Sequence, residues 1–307
     1  MSELPRNILH CIGNTTLLAL RNIVPGNGAR ILLKLENENP TGSMKDRMAR
    51  AMIEAAEADG RLAPGGSVVE YTGGSTGVSL SLVCAVKGYP LHIVTSDAFA
   101  REKLDHMKML GAKLQIVPSD GGRMTAQLTR DMIEAARLVA AKTGSFWTDQ
   151  MNNADQLAAY RKMAEEIWTQ TDGQIDGFVQ SVGTAASLRG TGEALRRHDE
   201  RTRIVAVEPA ESPVLSGGQP GAHKIDGVGA GFHGSGAGDG PAVGTGRRSL
   251  RGDIDGRQCH RRIAIGRATG TGGNCRHRHV RHRNEVSQNL WNSAEQRMRS
   301  RTCRLSC

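Results

Sequence analysis

The sequence predicts an open α/β fold built on parallel sheets, and three observations carry that expectation. Between residues 30 and 209, short apolar runs rich in β-branched residues alternate with longer segments of helical spacing. Each intervening segment is long enough for a crossover, which makes the strands it joins parallel and buries both faces of their sheet. Two strand-to-helix junctions, 72–77 and 181–192, are rich in glycine and hydroxyl residues, and ligands of open α/β sheets bind at the carboxyl ends of strands.

The strands expected in chain order are ILLKLE (31–36), SVVEYT (67–72), LHIVTS (91–96), KLQIVP (113–118), GFVQSV (177–182) and RIVAVEP (203–209). Helical spacing falls on 44–58, 77–87, 101–110, 123–142, 155–169 and 187–197. The first helix follows a Pro-Thr-Gly turn. Ser43 has the residue type of an N-cap, and Asp46 three positions on completes a pair like a capping box. The acidic residues of 54–59 read as a solvated face, and Met107 and Met109 as packing. His10, His92 and His106 have no partner that would make them catalytic.

Composition sets outer limits. A chain of 307 residues holds one large or two ordinary domains, and 3% aromatics means an aliphatic core. No apolar run reaches 18 residues, so no membrane span is expected. The N-terminus lacks a basic start followed by an apolar stretch, so the cytoplasm, with reduced thiols, is the expected compartment. The net charge of +9 belongs to one end: residues 233–307 hold 15 Arg, no Lys and 5 acids. From about residue 232 the apolar periodicity also stops.

The segment KLENENPTGSMKDR (34–47) places Lys45 in the first turn of a helix. The positive end of the helix dipole disfavours an ammonium there and lowers its pKa. An amine that attacks a carbonyl needs such help, because only the neutral form is nucleophilic. Taken alone, Lys45 would be a solvated surface lysine.

The surrounding string changes that weighting. NPTGSMKDR resembles the cofactor-lysine motif of the cysteine synthase and cystathionine β-synthase family, pyridoxal-phosphate (PLP) enzymes of fold type II. IGNTTLLAL (12–20), EYTGGSTG (70–77), SVGTAASLRGTG (181–192) and KIDGVGAGF (224–232) resemble further segments of that family in the same order, so the resemblance spans residues 8–232. It implies two mainly parallel α/β domains of the tryptophan synthase β type with PLP in the cleft. The large domain would combine 1–40 with 146–232, and the small one would be 41–145.

The resemblance also implies roles. Lys45 would carry PLP and move the α-proton of a small amino acid such as O-acetylserine, whose β-substituent sulfide or another thiol then replaces. Thr72, Gly73, Thr76 and Gln150 would hold the substrate carboxylate, and Ser75 would contact the ring hydroxyl. Gly183, Thr184, Ala185, Ala186 and Ser187 would bind the phosphate. Gly73 and Ser75 stand where the family has serine and asparagine, and both departures shrink side chains lining the site. Ala185 and Ala186 replace two glycines of the phosphate loop. Intact relatives are homodimers, and no metal is implied. Cystathionine synthesis, serine or threonine dehydration and a non-catalytic remnant remain as alternatives.

Residues 233–307 admit three readings. Zinc fails for want of CxxC or HxxxH spacing. An Arg- and Gly-rich segment could bind RNA, but nucleic acid is not the expected partner. The favoured reading is a frameshift. Advanced by one base from His233, the codons can encode an amphipathic helix and a GTSTG loop resembling the family's C-terminal part, with a short stretch missing at the junction. Fifteen Arg without Lys fits an out-of-frame reading of GC-rich coding sequence.

Overall fold

A computed structural model describes residues 7–21, 28–221 and 228. Strands and helices alternate through them: β1 Leu17–Ala19, β2 Leu32–Lys34, α1 Lys45–Ala58, β3 Val68–Tyr71, α2 Ser75–Lys87, β4 Leu91–Ser96 and α3 Arg101–Met109. The series continues with β5 Lys113–Val117, α4 Ala126–Thr143, β6 Phe146–Trp147, α5 Gln156–Gln170, β7 Gly177–Ser181, α6 Ala186–His198 and β8 Arg203–Val207. All six expected strands and all six expected helices form, with ends shifted by up to three residues.

A four-stranded parallel sheet has the order β5-β4-β3-β6, and β7 pairs in parallel with β8. Period-two alternation decides which side chains face which layer. Val68 and Ile93 join the main core beneath α1 and α2, while Val69 and Val94 meet Leu128, Met132 and Ala136 of α4 on the other side. With both faces covered, β3 and β4 are buried along most of their length.

Two strands were not expected. β6 is two residues long, too short for periodicity to reveal. β1 pairs antiparallel with β2, a departure from parallel sheets. Among the described residues between these strands, 20–21 and 28–31, no helix is present, and an antiparallel pair needs none.

The helices show why their sequences form them. Met48, Ala49, Met52, Ile53 and Ala56 make one fully buried stripe along α1. Thr125 caps α4 by accepting from Leu128 N at 3.1 Å, and Gly144 ends it in the left-handed region. Met107 is fully buried as expected, but Met109 is 84% exposed, which corrects its reading as packing. It is the last residue of α3, turned away from the core. Among the described residues no helix is long and apolar enough to cross a membrane.

One ionic cluster fixes the start of α1. Arg47 makes two hydrogen bonds to each of Glu36 (2.6 and 2.8 Å) and Glu166 (2.6 and 2.7 Å), and Lys34 reaches Glu166 at 2.8 Å. The cluster joins the β1–β2 ribbon to α1 and α5, two residues from Lys45.

Candidate active site

Lys45 is the first residue of α1. The capping expected there does not form as read. The N-cap is Met44, Ser43 Oγ instead accepts from Lys45 N at 3.2 Å, and the Asp46 carboxylate turns back to Thr41, taking its N–H at 2.8 Å and its hydroxyl. Asp46 thus closes the 41–46 turn rather than the helix end. Burial lowers the Lys45 ammonium from 10.5 to about 8, the direction expected. No hydrogen bond or ion pair engages Nζ among the described residues.

The loop between β3 and α2 carries Thr72, Gly73 and Gly74, and Ser75 and Thr76 open α2. Thr72 N is held by Val94 O at 2.9 Å, and Thr72 Oγ1 accepts from Gly74 N at 3.2 Å, which tightens the turn. Thr76 Oγ1 donates to Gln150 Oε1 at 2.7 Å. The fold therefore brings together two residues 74 positions apart that the resemblance assigned to one carboxylate. Ser75 is half-buried and its hydroxyl has no partner among the described residues. Gly73 does shrink the side chain at its position, and a Cβ there would lie 1.9 Å from the Phe99 ring. Phe99 occupies the space a larger residue would need.

The second loop joins β7 to α6. Ala185 is its N-cap and sits at φ +64°, ψ −8°, in the left-handed region. Alanine adopts that conformation at a cost that glycine would not bear. Ala185 also brings no side-chain cap, so the first-turn N–H groups of α6 are available to an anion. Gly183, Thr184 and Ala185 are half-buried, and Ala186 and Ser187 are buried. Gln180 Nε2 donates to Ser187 Oγ at 2.7 Å and meets Met44 Sδ at 3.3 Å. One side chain thus links this loop to the residue preceding Lys45. Gln180 Oε1 is buried without a partner among the described residues.

Sequence reading missed Glu70. It lies in the middle of β3, fully buried, and burial raises its carboxyl to about 7. The signal was present: in VVEYT, Glu70 alternates with Val69 and Tyr71 and falls on the same face as Val68. The segment 224–232, except Val228, and the whole of 233–307 lie outside the described residues.

These residues fit a pyridoxal phosphate. The Lys45 amine, lowered by burial, follows Met44, which Gln180 ties to the uncapped N-terminus of α6, and Thr41 of the same turn meets Ser79 of α2, the helix that carries Thr76, at 3.2 Å. The family described as pyridoxal-phosphate-dependent enzyme matches residues 8–247, past residue 232, where the resemblance read from motifs stops. Cysteine synthase of Staphylococcus aureus is 40% identical over 228 residues, 74% of this chain and 72% of the relative. The crystal structure of a cysteine synthase from Entamoeba histolytica superposes with a TM-score of 0.70 at 37% identity, covering 75% of this chain and 68% of that one. A hydrogen sulfide-producing enzyme from Fusobacterium nucleatum gives a TM-score of 0.68 at 34% identity, covering 75% and 74%.

Proposed function

Since the chain belongs to the family of pyridoxal-phosphate-dependent enzymes and is cysteine synthase-like, we propose that Lys45 is its cofactor lysine and that it replaces the β-substituent of O-acetylserine with sulfide. The observation that carries this reading is the partly buried Lys45 amine, unpartnered among the described residues and lowered to about 8, at the start of a helix.

When bound, PLP supplies an electron sink that acidifies the substrate's α-proton and eases departure of its β-substituent. The protein does the rest. Nζ of Lys45 would hold the cofactor and take the substrate's α-proton; a pKa near 8 suits proton transfer at neutral pH. Thr72, Thr76, the backbone of Gly73 and the Gln150 amide hold the substrate carboxylate. Ser75 meets the ring hydroxyl. The N–H groups and hydroxyls of Gly183 to Ser187 take the phosphate at the α6 N-terminus. The Gln180 link keeps that loop in step with Met44 and hence with Lys45.

The proposed division into a large domain, 1–40 with 146–232, and a small one, 41–145, is supported by the separation of β1–β2 and β7–β8 from the sheet of β3, β4 and β5, although β6, at 146–147, pairs with β3 across that boundary. The enzyme is proposed to act in the cytoplasm and as a homodimer. Residues 248–307 lie beyond the family match, in line with a frameshift and impaired activity of the chain as written, whereas residues 233–247, which that reading includes, lie within the match.

Borohydride reduction followed by peptide mapping is expected to place the pyridoxyl group on Lys45. A label on Lys34 or Lys224 would refute the assignment. Product analysis with sulfide, homocysteine or no added nucleophile separates cysteine synthesis from cystathionine synthesis and dehydration.

A further inference from the structure

Glu70 is a buried acid without a cationic partner. No Lys, Arg or His pairs with it among the described residues, and the charged group that acts on it, Asp149, is repulsive. A carboxyl in that position costs more than an apolar side chain unless its hydrogen bonds serve a purpose. Its two oxygens collect donors from two separate parts of the chain. Oε1 accepts from Tyr71 N at 2.8 Å, at the end of β3. Oε2 accepts from Thr148 Oγ1 at 2.6 Å and from Gln150 N at 3.0 Å, in the segment after β6.

Those bonds place Gln150. Its N–H is fixed by Glu70, its carbonyl accepts from Gln156 Nε2 at 2.8 Å, and its side-chain oxygen accepts from Thr76 Oγ1 at 2.7 Å. Gln150 Nε2 makes only a long contact to Tyr71 O, at 3.4 Å. That amide is therefore the group of Gln150 best able to turn to a ligand. Both ends of the Thr76–Gln150 pair are held from β3, by α2 on one side and by Glu70 on the other.

We infer that Glu70 is a positioning residue for the substrate-carboxylate subsite: it fixes the Gln150 backbone and, through Gln150, the direction of the Thr76 hydroxyl. The inference rests on the proposed roles of Gln150 and Thr76. Glu70 never touches the substrate; it sets the geometry in which two groups from distant parts of the chain meet one carboxylate.

The test compares Glu70→Gln, Gln150→Ala and the double variant. Glu70→Gln keeps the volume but replaces one acceptor oxygen with a donor. In the holoprotein, L-methionine is titrated as an unreactive amino acid and followed by the change in visible absorption. Glu70→Gln is expected to raise the apparent Kd for methionine about tenfold, as loss of one buried hydrogen bond implies, with PLP affinity changed less than about twofold. Gln150→Ala should give a similar rise, and the double variant no further loss, because Glu70 acts through Gln150.

Additive effects, equal losses of methionine and PLP affinity, or an unaltered Glu70→Gln would overturn the inference. A Gln150→Ala variant with unchanged methionine affinity would instead remove the reading beneath it. If Glu70→Gln does not fold, Thr148→Val strips one donor from Oε2 and should raise the Kd about threefold; no change overturns the inference. Deuterium uptake by the amides of 148–153 needs no cofactor. It should rise about tenfold in whichever variant folds, while β4 and β5 stay as in the parent, and unchanged uptake overturns the inference equally.

Discussion

At the scale of single residues, two positions show the chain departing from what its backbone prefers. Ala185 holds a left-handed conformation at φ +64°, which strains any residue with a Cβ by about 1 kcal/mol or more. Ala185→Gly should therefore stabilise the protein by about 1 kcal/mol, a higher urea midpoint at unchanged slope. A lower midpoint would show that the strain is relieved elsewhere. Gly73 is the converse case. A Cβ at 73 would stand 1.9 Å from the ring of Phe99, and Phe99 packs against both hydrophobic clusters. Gly73→Ser is expected to cost about 1–3 kcal/mol by overpacking. Phe99→Ala in the same chain should recover part of that loss, so the two changes together destabilise less than their sum. Simple additivity in thermal melts would mean that Phe99 swings clear.

At the scale of elements, the ionic cluster decides how α1 is presented. Burial alone would raise the Glu166 carboxyl, but hydrogen bonds from Arg47 and Lys34 hold it at about 2, against an ordinary 4.5. A depressed carboxylate contributes stability that is complete above pH 4.5 and is lost as pH falls towards 2. Glu166→Gln should therefore be less stable than the parent at neutral pH by about 1–2 kcal/mol, less than for a fully dry pair because Glu166 keeps some contact with water. The gap should narrow between pH 4.5 and 2, as denaturant melts across that range would show. A constant gap would mean that lost packing, not lost charge, causes the difference. Because Arg47, the partner of Glu166, lies two residues from Lys45, the same substitution should also weaken retention of PLP.

At the scale of the whole molecule, the described residues supply the family's motifs as far as α6 and β8, and β8 pairs only with β7 among them. A two-stranded parallel sheet is short of the partners that normally bury it. The chain as written is expected to melt with low cooperativity and to make little cysteine from O-acetylserine and sulfide. Restoring the frame after Phe232, with the missing junction residues taken from a relative, should bring both visible cofactor absorption and cysteine formation. Gain of neither would remove the frameshift reading, and both in the unrepaired chain would make residues 233–307 a genuine tail. By itself the sequence determined the alternation of strands and helices, the lysine in its NPTGSMKDR turn and the two ligand loops, because periodicity, glycine and hydroxyl patterns are local. The tertiary structure alone decided the antiparallel β1–β2 pair, the Phe99 ring against Gly73, the Gln150–Thr76 hydrogen bond and the burial of Glu70 beneath it. Each of these depends on segments distant in the chain meeting in space, and on the desolvation that follows, which no local pattern encodes.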